Sequence, residues 1–284
     1  MTTRTTVDGR PDGMLSPLDR GVLYGDALFE TVLFVDGRAP LWPRHLARLA
    51  EGCRRLHLPP PDADALAREC VALAHGIARA AVRVALTRGV GERGSAPPLD
   101  PRPTVIVSAA PAPIVPASWY ADGVRLHVCA TRYAAPSVLA GVKHANRLEQ
   151  VLARAEWNDP GIAEGLMLDP DDHAISATAA NLFARIDGIL ATPSVTRCGV
   201  AGVARAEVLA RCDVVVRDIG IDELRRAEEV FLTSSLRGIV PVVAIGSATD
   251  SMKTDSMKND SINYAVGATT RDLQAQWRAN DWML

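Results

Sequence analysis

The sequence predicts a mixed α/β protein of the α+β kind, built from two domains. Apolar residues alternate in some segments, as in strands, and recur at helical spacing in others. The chain of 284 residues is long enough for two hydrophobic cores. A segment rich in Pro and Ala, 109–117, has no periodicity. We expect it to link a smaller domain, 1–108, to a larger one, 118–284.

The first domain combines strand and helix patterns. Strands are predicted at 4–9, 33–36, 81–87 and 105–108. Helices are predicted over about 43–56 and 62–75, the second with Asp62 as its N-cap. The stretch 18–31 is expected to be a loop that leads into the second strand.

The loop at 89–94 matches the letters of a dinucleotide-binding fingerprint, G-x-G-x-x-G. That fingerprint works only where a helix follows at once, because the helix N-terminus holds the pyrophosphate. A proline-rich segment, 95–103, follows here, and such a segment cannot be a helix. We therefore expect a hairpin loop and no nucleotide site.

The second domain is predicted to be richer in strands. Strands are predicted at 124–131, 163–168, 181–186, 189–191, 214–216 and 229–233. Helices are predicted from just after residue 143 to about 157, over about 202–212 and over about 265–279. A polar five-residue repeat within 250–259 is expected to be a surface loop.

Charge and cysteine content limit the partners and the compartment. The formal net charge of −2 gives no electrostatic basis for binding nucleic acid or an anionic membrane. No apolar run approaches the roughly 20 residues of a membrane span, and no signal peptide is evident. The five cysteines form no CxxC pair, which favours a reducing compartment and argues against a zinc site. We expect a cytoplasmic protein without a metal.

Lys143 is the first candidate for a chemical role. Only three of the 31 basic residues are lysines, and the other two, Lys253 and Lys258, lie in the polar repeat. Arginine stays protonated, whereas a desolvated lysine can lose its proton, act as a nucleophile and form a Schiff base. A solvated lysine that stands at a helix start by chance is the alternative.

Two segments of the second domain are candidate phosphate sites. The turn Gly202-Val203-Ala204 opens a predicted helix, whose free N–H groups and positive dipole end attract phosphate. Ser234 and Ser235 follow a predicted strand and add hydroxyl donors. A nucleophilic lysine and a phosphate site together are what pyridoxal phosphate (PLP) requires. Taken alone, a glycine-rich helix start is more often plain capping.

The chain resembles the fold-type IV PLP-dependent enzymes, which include D-amino-acid and branched-chain transaminases and 4-amino-4-deoxychorismate lyase. The matching motifs span nearly the whole chain and lie at 19–31, 45–49, 87–94, 143–151, 181–183 and 199–205. The most specific motif, 143–151, reads K-H-A-N-R-L-E-Q-V and looks like the lyase subgroup. Transaminases of the family usually differ after the lysine, and the branched-chain enzymes carry Tyr where Leu148 stands.

The resemblance implies a D-amino-acid-aminotransferase-like fold, a homodimer, PLP as the cofactor and a small-molecule substrate. It implies Lys143 as the catalytic residue that also carries PLP. The other cofactor-binding residues that it implies are Arg48, Ser176, Val203, Ala204, Ser234 and Ser235. The substrate residues that it implies are Tyr24, Phe29 and Arg93.

Ser176 departs from the family pattern. The family normally has a Glu five residues before its Asn-Leu-Phe, here 181–183, and that Glu pairs with the pyridine nitrogen of PLP. A carboxylate there favours the protonated, electron-withdrawing ring, and a neutral hydroxyl gives no such charge stabilisation. The loss weighs more against a transaminase, because a lyase also gains an aromatic product. Glu164 or Asp169 could supply a carboxylate from elsewhere.

The sequence therefore favours a 4-amino-4-deoxychorismate lyase, which eliminates pyruvate and yields 4-aminobenzoate on the route to folate. Two alternatives stay open. One is a fold-type IV transaminase of D- or branched-chain amino acids. The other is a non-catalytic protein of the same fold, which the serine at position 176 would suit.

Overall fold

The structure is a computed structural model that describes residues 3–246 and 262–283. The chain divides into two compact units. The first consists of Met1–Ile114 and Val142–Asn146, and the second of Val115–Gly141 and Arg147–Leu284. The polar repeat lies outside the described residues. None of the described helices is both long and apolar enough to cross a membrane.

The first unit is a four-stranded antiparallel sheet with helices packed on it. Its elements are β1 (Arg4–Val7), α1 (Arg20–Tyr24), β2 (Ala27–Val35), α2 (Trp42–Leu56), α3 (Ala63–Ala74), β3 (Arg79–Thr87) and β4 (Val105–Pro111). The strands lie in the order β1-β4-β3-β2. Leu49 and Cys53 of α2 and Leu66 and Cys70 of α3 are buried in one core with the apolar residues of the sheet. Both predicted helices and the β3–β4 hairpin are confirmed.

The expectation that 18–31 is a loop is wrong in part. Asp19 caps α1 by accepting a hydrogen bond from the Gly21 N–H at 2.7 Å. Strand β2 already begins at Ala27, and almost all of its residues are buried. A strand buried on both faces lacks the alternation that marks a half-exposed strand, so the sequence located only its end.

The second unit is built around a closed ring of strands. Its strands are β5 (Val124–Val128), β6 (Ile162–Leu168), β7 (Ala174–Ala177), β8 (Asn181–Ile186), β9 (Ile189–Pro193), β10 (Val215–Arg217), β11 (Glu229–Ser234), β12 (Gly238–Gly246) and β13 (Ile262–Asn263). Its helices are α4 (Ala117–Ala121), α5 (Leu148–Arg154), α6 (Val203–Arg211), α7 (Ile221–Leu224) and α8 (Ala268–Ala279). The sheet order is β10-β9-β8-β11-β12-β5-β6-β7. Strand β7 also pairs with β8 through Ser176 and Asn181, which closes the ring.

Three strands of this unit were not predicted, namely β7, β12 and β13. Strand β12 is apolar without alternation. It also contains Pro241, and a proline within a segment argues against predicting a strand there. The helix expected just after residue 143 begins only at Leu148. Residues Val142–Asn146 belong to the first unit, although the sequence assigned them to the larger domain. Strand β4 also extends into the expected linker as far as Pro111.

Candidate active site

Lys143 lies on a short extended segment that pairs with the beginning of β2. The Phe29 N–H donates to the Lys143 carbonyl at 3.0 Å, and the Ala145 N–H donates to the Ala27 carbonyl at 2.8 Å. The side chain of Lys143 is half-buried, and its Nζ lies 4.1 Å from the centre of the Phe29 ring. The sheet therefore fixes the position of the amine, and the aromatic face removes part of its water shell.

Asn146 connects the lysine motif to the N-terminal motif. Its Nδ2 donates to the Gly25 carbonyl at 3.0 Å. Gly25 has a φ of +63°, and a Cβ at this position would come within 2.6 Å of Asn146 Oδ1, so the contact requires glycine. Tyr24, an expected substrate residue, precedes this glycine, and the Arg20 guanidinium lies 4.7 Å from the centre of its ring.

Arg83 is a candidate that the sequence did not single out. It lies on β3, and its guanidinium carbon is 4.1 Å from the centre of the Phe29 ring, the same ring that Lys143 contacts. Its side chain is exposed, and partial desolvation by the neighbouring protein lowers the pKa of its guanidinium. The available signal was an arginine in the middle of a mostly apolar strand. Arg93, the expected substrate residue, is exposed in the loop between β3 and β4.

Arg48 is held by a buried carboxylate, Glu30. The Arg48 Nε donates to Glu30 Oε1 at 2.8 Å, and Nη2 donates to Oε2 at 2.5 Å. The His45 Nδ1 lies 2.6 Å from the same Oε2. The H-x-x-R spacing on α2 brings both side chains to one face of the helix, opposite β2. The sequence singled out Arg48 and missed the part played by Glu30.

The charge state of this cluster follows from its burial and its partners. Burial alone would raise the pKa of Glu30, but the Arg48 charge and the hydrogen bonds from Arg48 and His45 lower it to about 2. Burial lowers the pKa of His45, and the charges of Arg48 and Lys143 lower it further, against the opposing effect of Glu30. We therefore assign a neutral His45 that donates its Nδ1–H to an ionised Glu30. This carboxylate fixes the orientation of the Arg48 guanidinium.

In the second unit, the N-terminus of α6 carries the expected phosphate residues Val203 and Ala204. Gly202 is the N-cap, and no side chain caps the first turn. The Asn181 Nδ2 donates to the Val200 carbonyl at 2.9 Å and fixes the turn before the helix. A Cβ at position 202 would come within 2.0 Å of Asn181 Oδ1, so this packing requires glycine. The first N–H groups of the helix are suited to an anion.

Thr233 is a second candidate that the sequence did not commit to. It lies directly opposite Asn181 in the pairing of β11 with β8, so the two side chains share a face of the sheet. The Thr233 Oγ1 is buried and has no hydrogen-bond partner among the described residues. A buried hydroxyl without a partner is costly, so this atom fits a polar ligand. Ser234 and Ser235 follow at once and are half-buried.

Ser176 is buried on β7, where its hydroxyl contacts two neutral groups. Its Oγ donates to the Ala177 carbonyl at 2.9 Å and lies 2.8 Å from the hydroxyl oxygen of Tyr133. Both carboxylates that might have replaced the family Glu bind other groups. Glu164 pairs with Arg237 at 2.6 Å, and Asp169 accepts hydrogen bonds from nearby backbone N–H groups.

These two sets of residues define the class of protein. One unit presents an amine on a rigid strand edge, and the other presents an uncapped helix N-terminus beside a buried hydroxyl that has no protein partner among the described residues. The family model described as amino-transferase class IV matches residues 27–245. The chain therefore belongs to the amino-transferase class IV family.

Individual relatives include both activities that the sequence considered. The chain is 33% identical to an aminodeoxychorismate lyase of Vibrio harveyi, over 94% of this chain and 97% of that protein. It is 30% identical to a putative branched-chain-amino-acid aminotransferase of Methanocaldococcus jannaschii, over 82% and 83% of the two chains. The crystal structure of 4-amino-4-deoxychorismate lyase from Pseudomonas aeruginosa superposes with a TM-score of 0.88 at 45% identity, covering 97% and 98%. The expected mixed α/β fold is confirmed.

Proposed function

We propose that this protein is a PLP-dependent 4-amino-4-deoxychorismate lyase, which releases pyruvate and forms 4-aminobenzoate. The observation that carries the proposal is the fixed amine of Lys143 on the edge of β2, within a motif of the lyase subgroup. Similarity to the two lyases over nearly the full length of the chain supports it. The exposed loop of Arg93 is not needed for this argument.

The cofactor of the enzyme is PLP, and the residues of the two units fit it. Lys143 would bind its aldehyde carbon. The N–H groups of Val203 and Ala204, the hydroxyl of Thr233 and the guanidinium of Arg48 would serve its phosphate, because all are donors suited to an anion. Ser234 and Ser235 stay candidates for the same group. When bound, PLP withdraws electrons from the substrate carbon that carries the amino group.

Lys143 performs the proton transfers in the proposed mechanism. Its amine removes the proton from the carbon of the substrate ring that carries the amino group. The bond between the neighbouring carbon of the substrate ring and the enolpyruvyl oxygen then breaks. The oxygen keeps the electron pair of this bond, and the substrate ring becomes aromatic. The ammonium of Lys143 returns a proton to the leaving group, which becomes pyruvate. The strand pairing of residues 143–145 keeps the amine in place during both transfers.

The carboxylates of the substrate need cationic partners. Arg83 is a better candidate than Arg93, because its guanidinium lies against the same aromatic ring as the Lys143 amine. Phe29 contacts both cations and would form an apolar wall for the substrate ring. Tyr24 remains a candidate at the end of α1. An Arg83→Lys variant keeps the charge but loses bidentate geometry, so we expect its KM to rise more than its kcat falls.

Substitution of Lys143 is the direct test. Borohydride reduction of the holoenzyme should attach PLP to one of only three lysines, and peptide mapping should find it on Lys143. Lys143→Ala should lose the visible absorbance of the bound cofactor and the release of pyruvate and 4-aminobenzoate. Lys143→Arg is the matched control, because it keeps the charge without the nucleophile and should be equally inactive. Turnover by either variant would contradict the mechanism.

A transaminase remains the second candidate, because the chain is 30% identical to a putative aminotransferase. Incubation of the holoenzyme with D- or branched-chain amino acids and a 2-oxo acid separates the two activities. Amino transfer without release of 4-aminobenzoate from aminodeoxychorismate would replace the proposed function. A protein that takes up no PLP at all would instead support the non-catalytic alternative.

We also propose that the enzyme is a cytoplasmic homodimer. Helix α5 supports the dimer, because Leu148, Val151 and Leu152 project from it at helical spacing and are 68%, 59% and 55% exposed. Such an apolar helix face is expected to be covered by a second copy of the chain. Light scattering at micromolar concentration should give twice the chain mass, and the chain mass alone would exclude the dimer.

A further inference from the structure

The serine that replaces the family carboxylate belongs to an ordered chain of hydrogen bonds. Tyr133 is buried on the segment after β5, and its hydroxyl oxygen lies 2.8 Å from Ser176 Oγ. The side chain of Gln150, on α5, hydrogen bonds to the same phenol. Ser176 Oγ in turn lies 2.9 Å from the Ala177 carbonyl oxygen. Four groups are therefore linked in the order Gln150, Tyr133, Ser176 and Ala177.

The protons in this chain have only one consistent arrangement. The Ala177 carbonyl can only accept a hydrogen bond, so the single hydroxyl proton of Ser176 is donated to it. Tyr133 must then donate to Ser176. The Gln150 Oε1 has no partner among the described residues, so the amide nitrogen is the atom that donates to the Tyr133 oxygen. Each hydroxyl donates once and accepts once, all in the same direction.

Tyr133 is suited to this role because it stays protonated. Burial raises the pKa of its phenol, against the smaller lowering effect of the hydrogen bonds from Ser176 and Gln150. Tyr133 belongs to a buried apolar cluster that includes Trp157, Met167 and Ile175. The phenol is therefore a permanent donor at neutral pH, and it cannot supply a negative charge in place of the missing carboxylate.

We propose that Tyr133 fixes Ser176 as a hydrogen-bond acceptor for the protonated ring nitrogen of PLP. The Ser176 hydroxyl donates a hydrogen bond to Ala177 and accepts one from Tyr133. Only one lone pair of its oxygen is therefore left for a third partner. A lone pair favours a ring nitrogen that carries a proton. Tyr133 is thus a positioning residue, and Ser176 is the group that contacts the cofactor. The proposal rests on the proposed use of PLP and on the motif position of Ser176.

The test uses holoenzyme loaded with PLP that is labelled with ¹⁵N at the ring nitrogen. The nitrogen chemical shift, followed against pH, reports the protonation of that atom without any turnover. In the wild type we expect a protonated nitrogen at pH 7. Ser176→Ala should lower the apparent pKa of the ring nitrogen and weaken PLP binding about tenfold, the worth of one hydrogen bond. Tyr133→Phe should also lower the pKa of the ring nitrogen and should weaken PLP binding by roughly threefold. Ser176→Glu should raise the pKa of the ring nitrogen.

Tyr264→Phe is the matched control. Tyr264 is also buried and donates its hydroxyl to a backbone carbonyl, that of Leu224, at 3.0 Å. Its replacement should leave the ring-nitrogen shift and the PLP affinity unchanged. An unprotonated ring nitrogen in the wild type, or an unchanged shift in Ser176→Ala, would overturn the inference while leaving the lyase proposal intact. Failure of the wild type to bind PLP would overturn both.

Discussion

Two buried polar clusters, one in each unit, are stabilised in opposite ways. In the first unit, the ionised carboxylate of Glu30 meets the Arg48 guanidinium and the His45 ring at 2.5 to 2.8 Å. In the second unit, Ser176 and Tyr133 are joined by a neutral hydrogen bond of 2.8 Å. Both clusters are almost fully buried. Only the first carries a charge, and therefore only the first should respond strongly to pH.

The comparison explains why a serine suits position 176. A buried carboxylate is stable when cationic or N–H donors surround it, as Arg48 and His45 surround Glu30. At position 176 one of the neighbours is the Ala177 carbonyl oxygen, which a serine satisfies by donating and an ionised carboxylate would repel. A serine at position 176 is therefore consistent with its surroundings.

Removal of the charge at Glu30 should have the largest effect on stability. Glu30→Gln leaves the Arg48 guanidinium without its counter-charge and turns one amide N–H towards existing donors. We expect the free energy of unfolding in urea to fall by about 3 kcal/mol, as for a buried pair that loses one partner. The matched control is Glu51→Gln on α2, the helix that carries Arg48, because its pair with Arg54 is exposed and its loss should change the free energy of unfolding far less. Equal losses in both variants would show that the Glu30 cluster is no stronger than a surface pair.

Acid should weaken the first cluster and spare the second. The pKa of Glu30 is lowered to about 2 in the folded chain from 4.5, so its stabilisation is complete above pH 5 and is lost as the pH falls through about 2. A shift of this size corresponds to about 3 kcal/mol. The wild type should therefore lose this much more stability between pH 5 and pH 2 than Glu30→Gln does, as measured by urea unfolding at each pH. Parallel losses in the two proteins would contradict the assignment.

The same contrast separates what the sequence predicted from what it could not. The H-x-x-R-L motif pointed to Arg48, and the lysine motif pointed to Lys143, because both lie in short contiguous patterns. Glu30 and Arg83 lie in strands that read as ordinary apolar segments, and their roles depend on strand pairing and on helix packing. A local pattern contains no information about which residue a strand places opposite a helix.

Position 176 shows the limit more sharply. The motif spacing predicted that Ser176 replaces a carboxylate, but it could not identify Tyr133, which lies 43 residues earlier and contacts Ser176. A signal existed in Gln150, the seventh residue after Lys143 within the lysine motif. Gln150 is buried and binds Tyr133, so part of a motif associated with the lysine serves the other unit.

Tyr133→Phe should reduce stability less than Glu30→Gln does, and its effect should not depend on pH. The substitution keeps the ring in its core and removes one neutral donor, so we expect the free energy of unfolding to fall by about 1 kcal/mol. The loss should be the same at pH 5 and pH 8, because burial raises the pKa of the phenol and keeps it neutral across this range. Tyr264→Phe should cost a similar amount, since it also removes one buried donor. If the loss in Tyr133→Phe grew with pH while that in Tyr264→Phe stayed constant, Tyr133 would be ionising, and the second cluster would be a charged site after all.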